Sequence, residues 1–129
     1  MLLLEANDPS LWSTHQEKKQ NIENKQLIEK IKPLIFAQHR CHSIYLSFGG
    51  SKGKLIDELL GLDSGCTKGM GGSASIHSKQ INMFGHDGHM GTQVPIATGM
   101  CFATKKPTLV FLGDASAEED YVLAALGWV

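Results

Sequence analysis

Eleven of the fourteen glycines lie between Gly49 and Gly91, and this crowding constrains the chain more than any other feature. Glycine loses more backbone freedom on folding than any other residue, so the stretch cannot be regular packed structure throughout. The glycines gather in two knots, Lys68-Gly-Met-Gly-Gly-Ser73 and Gly85-His-Asp-Gly-His-Met-Gly91. A mobile connector and a ligand-facing loop both accommodate such a pattern. Knots in which backbone can approach a bound group closely favour the second reading.

Regular elements are expected on either side. Residues 14 to 37 carry Leu27, Ile28, Ile31, Leu34 and Ile35 at helical spacing, with Thr14 and Glu17 placed for a capping box and Pro33 as the one interruption. A shorter helix is expected from Lys54 to Leu60, stopped by Gly61. A buried helix should start near Gln93, with Pro95 in its first turn. Thr108 to Leu112 form a short apolar run that suits a strand covered on both faces. Ser116 and Glu119 are then spaced to cap a last helix.

Helix, buried strand, turn and helix point to a parallel α/β fold. One strand cannot make a sheet, so others must hide in the glycine-rich middle or come from elsewhere. The chain therefore reads as a single partial domain over 1–129: a helical lead-in at 1–38, glycine-rich loops at 39–91, and helix, strand and helix at 92–129.

With 129 residues, the chain is long enough for one modest core. Its formal net charge of -1 gives no broad attraction for nucleic acid or anionic lipid, so neither is an expected partner. No apolar run is long enough to span a membrane. Cys41, Cys66 and Cys101 are odd in number and widely spaced, which fits neither a disulfide framework nor a thiolate zinc site. A reducing compartment follows, read here as the cytoplasm. Charged residues make up only 19% of the chain, and the Leu126-Gly-Trp-Val129 end is apolar; together they predict a covered surface in an oligomer.

Among the chemistry-bearing residues, Asp114 directly follows the expected strand, where open α/β sheets hold ligands. A carboxylate there suits Mg²⁺ or a turn-forming cap equally well. His39, Arg40 and His42 form a polar knot that reads as a solvated helix end or as a phosphate or carboxylate clamp. His86, Asp87 and His89, with His77 nearby, contain zinc-type donors, but at no strong zinc spacing. Neither a Walker loop nor a dinucleotide fingerprint is present.

Taken in order, His39-Arg-Cys-His42, Leu55 to Leu60, Gly65-Cys-Thr-Lys-Gly-Met-Gly-Gly-Ser73, Gly88-His-Met-Gly-Thr-Gln-Val-Pro95 and Gly113-Asp114 resemble the alpha subunit of thiamine diphosphate-dependent E1 components of 2-oxo acid dehydrogenases. The resemblance runs from about residue 20 to 129 and covers only the amino-terminal part of such a subunit. It implies the phosphate-side half of a thiamine diphosphate fold, a parallel sheet flanked by helices. It also implies an enzyme component that decarboxylates a 2-oxo acid or cleaves an acyloin, passes the acyl unit to an acceptor, and is inactive alone.

The implied cofactors are thiamine diphosphate and Mg²⁺. Arg40 and His39 would lie at the diphosphate, Gly88 and Met90 at the aminopyrimidine, and Asp114 would be the metal ligand, with Ala115 and Ser116 beside the diphosphate. His42, with His86 and His89, would handle substrate protons. An E1 beta-like subunit or a missing carboxyl-terminal half is the implied partner, in a homo- or hetero-oligomer.

Two departures from the family pattern stand out. Ala115 replaces a usual glycine, which predicts a strained or rebuilt turn. The asparagine that closes the family motif, and would be the second Mg²⁺ ligand, falls beyond residue 129. A split subunit or truncated fragment is therefore expected, the alternative being a non-catalytic remnant that serves as a structural or partner-binding protein.

Overall fold

A computed structural model describes residues 23, 26–27, 30–85 and 88–128. The chain divides into two units, residues 1–31 and 32–129. In the first, the described residues 23, 26, 27, 30 and 31 are helical. The expected Thr14–Glu17 capping box lies outside the described residues.

The helix does not continue to residue 37. Lys32 turns into the left-handed region at φ 46°, Pro33 follows without a backbone donor, and Leu34–Ala37 form strand β1. Leu34 and Ile35 continue the helical spacing of Leu27 and Ile31 by coincidence. On the strand they face opposite ways: Ile35 and Ala37 enter one core, Leu34 and Phe36 another.

From β1 the chain runs through α1 (His42–Ser47), α2 (Lys52–Leu59), a 3₁₀ turn at Lys79–Ile81, β2 (Met83–Phe84), α3 (Gln93–Thr104), β3 (Thr108–Phe111), α4 (Asp114–Ala117) and α5 (Asp120–Leu126). The three strands are parallel in the order β2-β1-β3, as an α/β fold requires. The central strand is thus the segment that reads as helix in sequence, and β2 lies inside the glycine-rich middle. At the entry to β1 the Leu34 and Ile35 N–H groups donate to Pro107 and Asn82, both at 2.9 Å, which pins both neighbouring strands.

One face of the sheet packs Ile35 and Ala37 against Tyr45 of α1, Leu55 of α2, Ile76 and Met83. The other packs Leu34 and Phe36 against Ala97 of α3, with Phe84 stacked on Phe36 at 4.7 Å between ring centroids. Val94 of α3 meets Val122 and Ala125 of α5 in a third cluster. All four residues of β1 are buried, whereas β3 is only half-covered and Leu109 is exposed. The strand expected to be covered on both faces is therefore a sheet edge.

Helix α2 starts two residues earlier than expected because Ser51 caps it, its hydroxyl accepting from the Lys54 N–H at 3.4 Å. Gly61, at φ +72°, stops it as expected. Helix α3 starts at Gln93 with Pro95 in its first turn. The Ser116–Glu119 box does not form: α4 and α5 are separate short helices, and Ser116 is buried within α4. Ala115 is helical, so the strain expected from the missing glycine is absent.

Candidate functional site

Two strand ends and one loop meet at the carboxyl edge of the sheet. Gln38, directly after β1, reaches across to the turn after β3. Its Oε1 accepts from the Gly113 N–H at 2.7 Å and its Nε2 donates to the Ser116 Oγ at 2.6 Å. This side-chain clamp fixes the turn that carries Asp114 beside the segment that carries His39 and Arg40. No such role for Gln38 is legible in sequence, where it looks like an ordinary polar residue at the end of a helix.

Asp114 is exposed at the first position of α4. The cap of that helix is Gly113, with no side-chain capping bond, so the turn-forming reading of Asp114 finds no capping bond to support it. The burial of Ser116 and its bond to Gln38 make it a strut of the turn.

The Gly88–Met90 segment reaches the same edge from the other side. The Tyr121 hydroxyl of α5 donates to the Met90 carbonyl at 2.5 Å, and the Thr92 hydroxyl donates to the His89 carbonyl at 2.8 Å. Gly91 is needed for this approach: at φ +92°, a Cβ on it would lie 2.9 Å from Val122 and 3.2 Å from the Ser116 carbonyl. Gly88, His89 and Met90 are all exposed. His86 and Asp87 lie outside the described residues, and with them the proposed proton-handling role of His86.

Arg40 takes the left-handed region at φ 59°, and its N–H donates to the Ser73 carbonyl at 3.0 Å. The Ser73 hydroxyl also hydrogen-bonds the His42 Nε2 at 2.8 Å. His39, Arg40 and His42 therefore follow a strand rather than a helix, and the first glycine knot ends on them. His39 and Arg40 are exposed and His42 is half-buried.

That knot is organised by a residue the sequence reading passes over. Glu58, on α2, is 1% exposed. One carboxylate oxygen accepts from the Thr67 and Gly69 N–H groups at 2.7 and 3.0 Å. The other accepts from the Thr67 hydroxyl and from the Gly71 and Gly72 N–H groups at 2.9 and 3.0 Å. Burial opposes ionisation, but the Thr67, Gly69 and Gly72 donors outweigh it and hold the carboxyl at about 2, below its ordinary 4.5. An acid three residues after Leu55, on the apolar stripe of the helix and ahead of a glycine knot, is the signal that could have found it.

An open pocket of about 230 Å³ lies between β2 and α3, lined by Phe36, His77, Phe84, Gly85, Gln93 and Ile96. Its Nδ1 accepting from the Gly85 N–H at 3.0 Å, the His77 ring carries its proton on Nε2, 3.1 Å from the Ser75 hydroxyl. Gln93 donates to the Phe111 carbonyl at 3.3 Å, and its buried Oε1 has no partner among the described residues. Cys41 and Cys66 are free thiols, both pushed above their ordinary value by burial, which suits packing and not nucleophilic work. Among the described residues no three His, Cys, Asp or Glu side chains converge on a metal position. No helix among them is long and apolar enough to cross a membrane.

A parallel sheet with helices packed on both faces, and with an arginine, a carboxylate and a glycine-rich segment following the carboxyl ends of its strands, has the layout in which α/β domains hold ligands. The profile of the Dehydrogenase E1 component family matches residues 11–127, and the chain belongs to that family. It is 36% identical over 100 residues to the mitochondrial pyruvate dehydrogenase E1 component subunit alpha-1 of Arabidopsis thaliana, a match covering 74% of this chain and 26% of that protein. The mitochondrial pyruvate dehydrogenase E1 component subunit alpha of Schizosaccharomyces pombe is 36% identical over 96 residues, covering 70% and 23%. The Rickettsia typhi subunit alpha is 32% identical over 105 residues, covering 78% and 32%.

The chain thus spans about a quarter to a third of the length of these relatives. Their names also correct the cytoplasmic expectation, since the plant and yeast relatives are mitochondrial. Unpaired thiols do not separate cytosol from an organelle matrix.

Proposed function

We propose that this chain supplies the diphosphate side of a thiamine diphosphate site in an E1 component that acts on a 2-oxo acid, pyruvate being the one named in its relatives. The observation that carries the reading is the Gln38 clamp, which holds the Asp114 turn beside Arg40. The donor set suits the group. Mg²⁺ keeps several waters and takes one or two carboxylates together with phosphate oxygens, so a single exposed aspartate beside a diphosphate needs no cluster of three protein ligands.

In this reading Asp114 holds Mg²⁺, and Arg40 offers a planar fork of donors to the diphosphate. His39, Ala115 and Ser116 border the diphosphate, while the exposed residues Gly88 and Met90 meet the aminopyrimidine. When bound, the cofactor supplies the nucleophilic carbon and the electron sink. His42, braced by Ser73, and His89 hold or move protons at the substrate. An E1 beta-like chain, or the rest of an alpha subunit, completes the site, and an oligomer follows from that need.

Calorimetric titration of the chain with thiamine diphosphate, with and without Mg²⁺, tests the proposal. Weak binding that requires Mg²⁺ and disappears in Asp114→Ala at an unchanged melting temperature is expected. Mg²⁺-independent binding, or full affinity in Asp114→Ala, would reject it.

A further inference from the structure

We propose that Glu58 is a positioning residue that sets the orientation of His42 and the backbone of Arg40 through the 65–73 loop. The inference rests on the reading above only in giving Arg40 and His42 a task.

The connection can be traced bond by bond. The Glu58 carboxylate collects Thr67, Gly69, Gly71 and Gly72 around itself. The fold leaves the loop little other freedom. A Cβ on Gly71 would lie 2.0 Å from the Ser75 carbonyl, and one on Gly69 would lie 2.4 Å from the backbone of Gly61. The residue after Gly72 is Ser73, whose two oxygens divide the work. Its carbonyl accepts from Arg40 N–H, and its hydroxyl bonds the His42 Nε2.

Arg40 sits at a positive φ, which a non-glycine residue keeps only where its surroundings over-determine it. The bond from its N–H to the Ser73 carbonyl ties this backbone to the loop. The bond at Nε2 restricts how the His42 ring is oriented. A carboxylate that touches neither residue therefore governs both, because it fixes the segment whose last residue holds them.

The test reads the His42 ring nitrogens and the Arg40 amide by ¹⁵N NMR on the full chain, without cofactor, so failure of the cofactor reading leaves the result interpretable. Ser73→Ala supplies the signature of His42 without its partner. In Glu58→Gln, the His42 nitrogens should move to the Ser73→Ala positions and the Arg40 amide should lose its protection from exchange. Should that variant not fold, Thr67→Val, which removes one donor to Glu58, is read by the same criterion and should show a smaller move in the same direction. Wild-type His42 nitrogens in the folded variant despite faster exchange at Gly69, Gly71 and Gly72 would overturn the proposal, since Glu58 would then only stabilise its loop. So would an unchanged His42 in Ser73→Ala.

Discussion

Between Thr67 and Gly72 four backbone N–H groups turn inward onto a carboxylate of the same chain, whereas Gly88, His89 and Met90 are exposed residues whose segment is held by Thr92 and Tyr121. Both stretches are glycine-rich, and composition does not separate them. Their hydrogen bonds do. A loop centred on its own buried anion has its donors satisfied internally, and its glycines serve close packing. A segment of exposed residues at the carboxyl edge of a parallel sheet lies where open α/β sheets hold ligands.

The contrast predicts graded costs. Gly71→Ala should be the most damaging change, destabilising by upwards of about 3 kcal/mol in chemical denaturation, because the new Cβ would meet backbone. Little loss would mean that the loop can open without Glu58.

Glu58→Gln comes next, at about 2–3 kcal/mol, because an amide cannot accept at both positions and leaves buried N–H groups without partners. The wild type should also show a pH dependence that the variant lacks. The Glu58 carboxyl titrates at about 2 in the fold against an ordinary 4.5, so its stabilisation is complete above 4.5 and is lost as pH falls from there towards 2. Denaturation midpoints measured across that window should fall in the wild type and stay flatter in Glu58→Gln.

Gln38→Ala should cost about 1–2 kcal/mol, two hydrogen bonds at the usual net value. Hydrogen exchange should accelerate at residues 113–116 and not at 65–72. Acceleration in both places would mean that the two regions are one cooperative unit. Asp114→Ala is expected to change stability by less than about 0.5 kcal/mol, since the residue is exposed and caps nothing. A larger loss would return Asp114 to a structural role.

Much of this organisation is legible in the sequence, and the failures have identifiable causes. Helices α2 and α3, strand β3 and the placing of Asp114 at a strand end all follow from spacing and punctuation. Strand β1 does not, because Leu34 and Ile35 extend a helical period across Pro33, and four residues buried on both faces have no alternation to reveal them. Ser116 and Glu119 have capping-box spacing, but tertiary contact won: burial beside Gln38 gives the Ser116 hydroxyl a partner from another strand. Gln38 stays hidden because its partners lie 75 and 78 residues away, and Glu58 because most of its partners are backbone N–H groups of a loop, which no side-chain pattern marks.

The most direct test of the contrast is a titration of the ¹⁵N-labelled chain with thiamine diphosphate and Mg²⁺, followed residue by residue. Chemical shifts should move at residues 38–42, 88–91 and 113–116, depend on Mg²⁺ at 113–116, and leave 65–72 still apart from its junction with Ser73. A response centred on 65–72, or none at 113–116 when Mg²⁺ is added, would contradict the account.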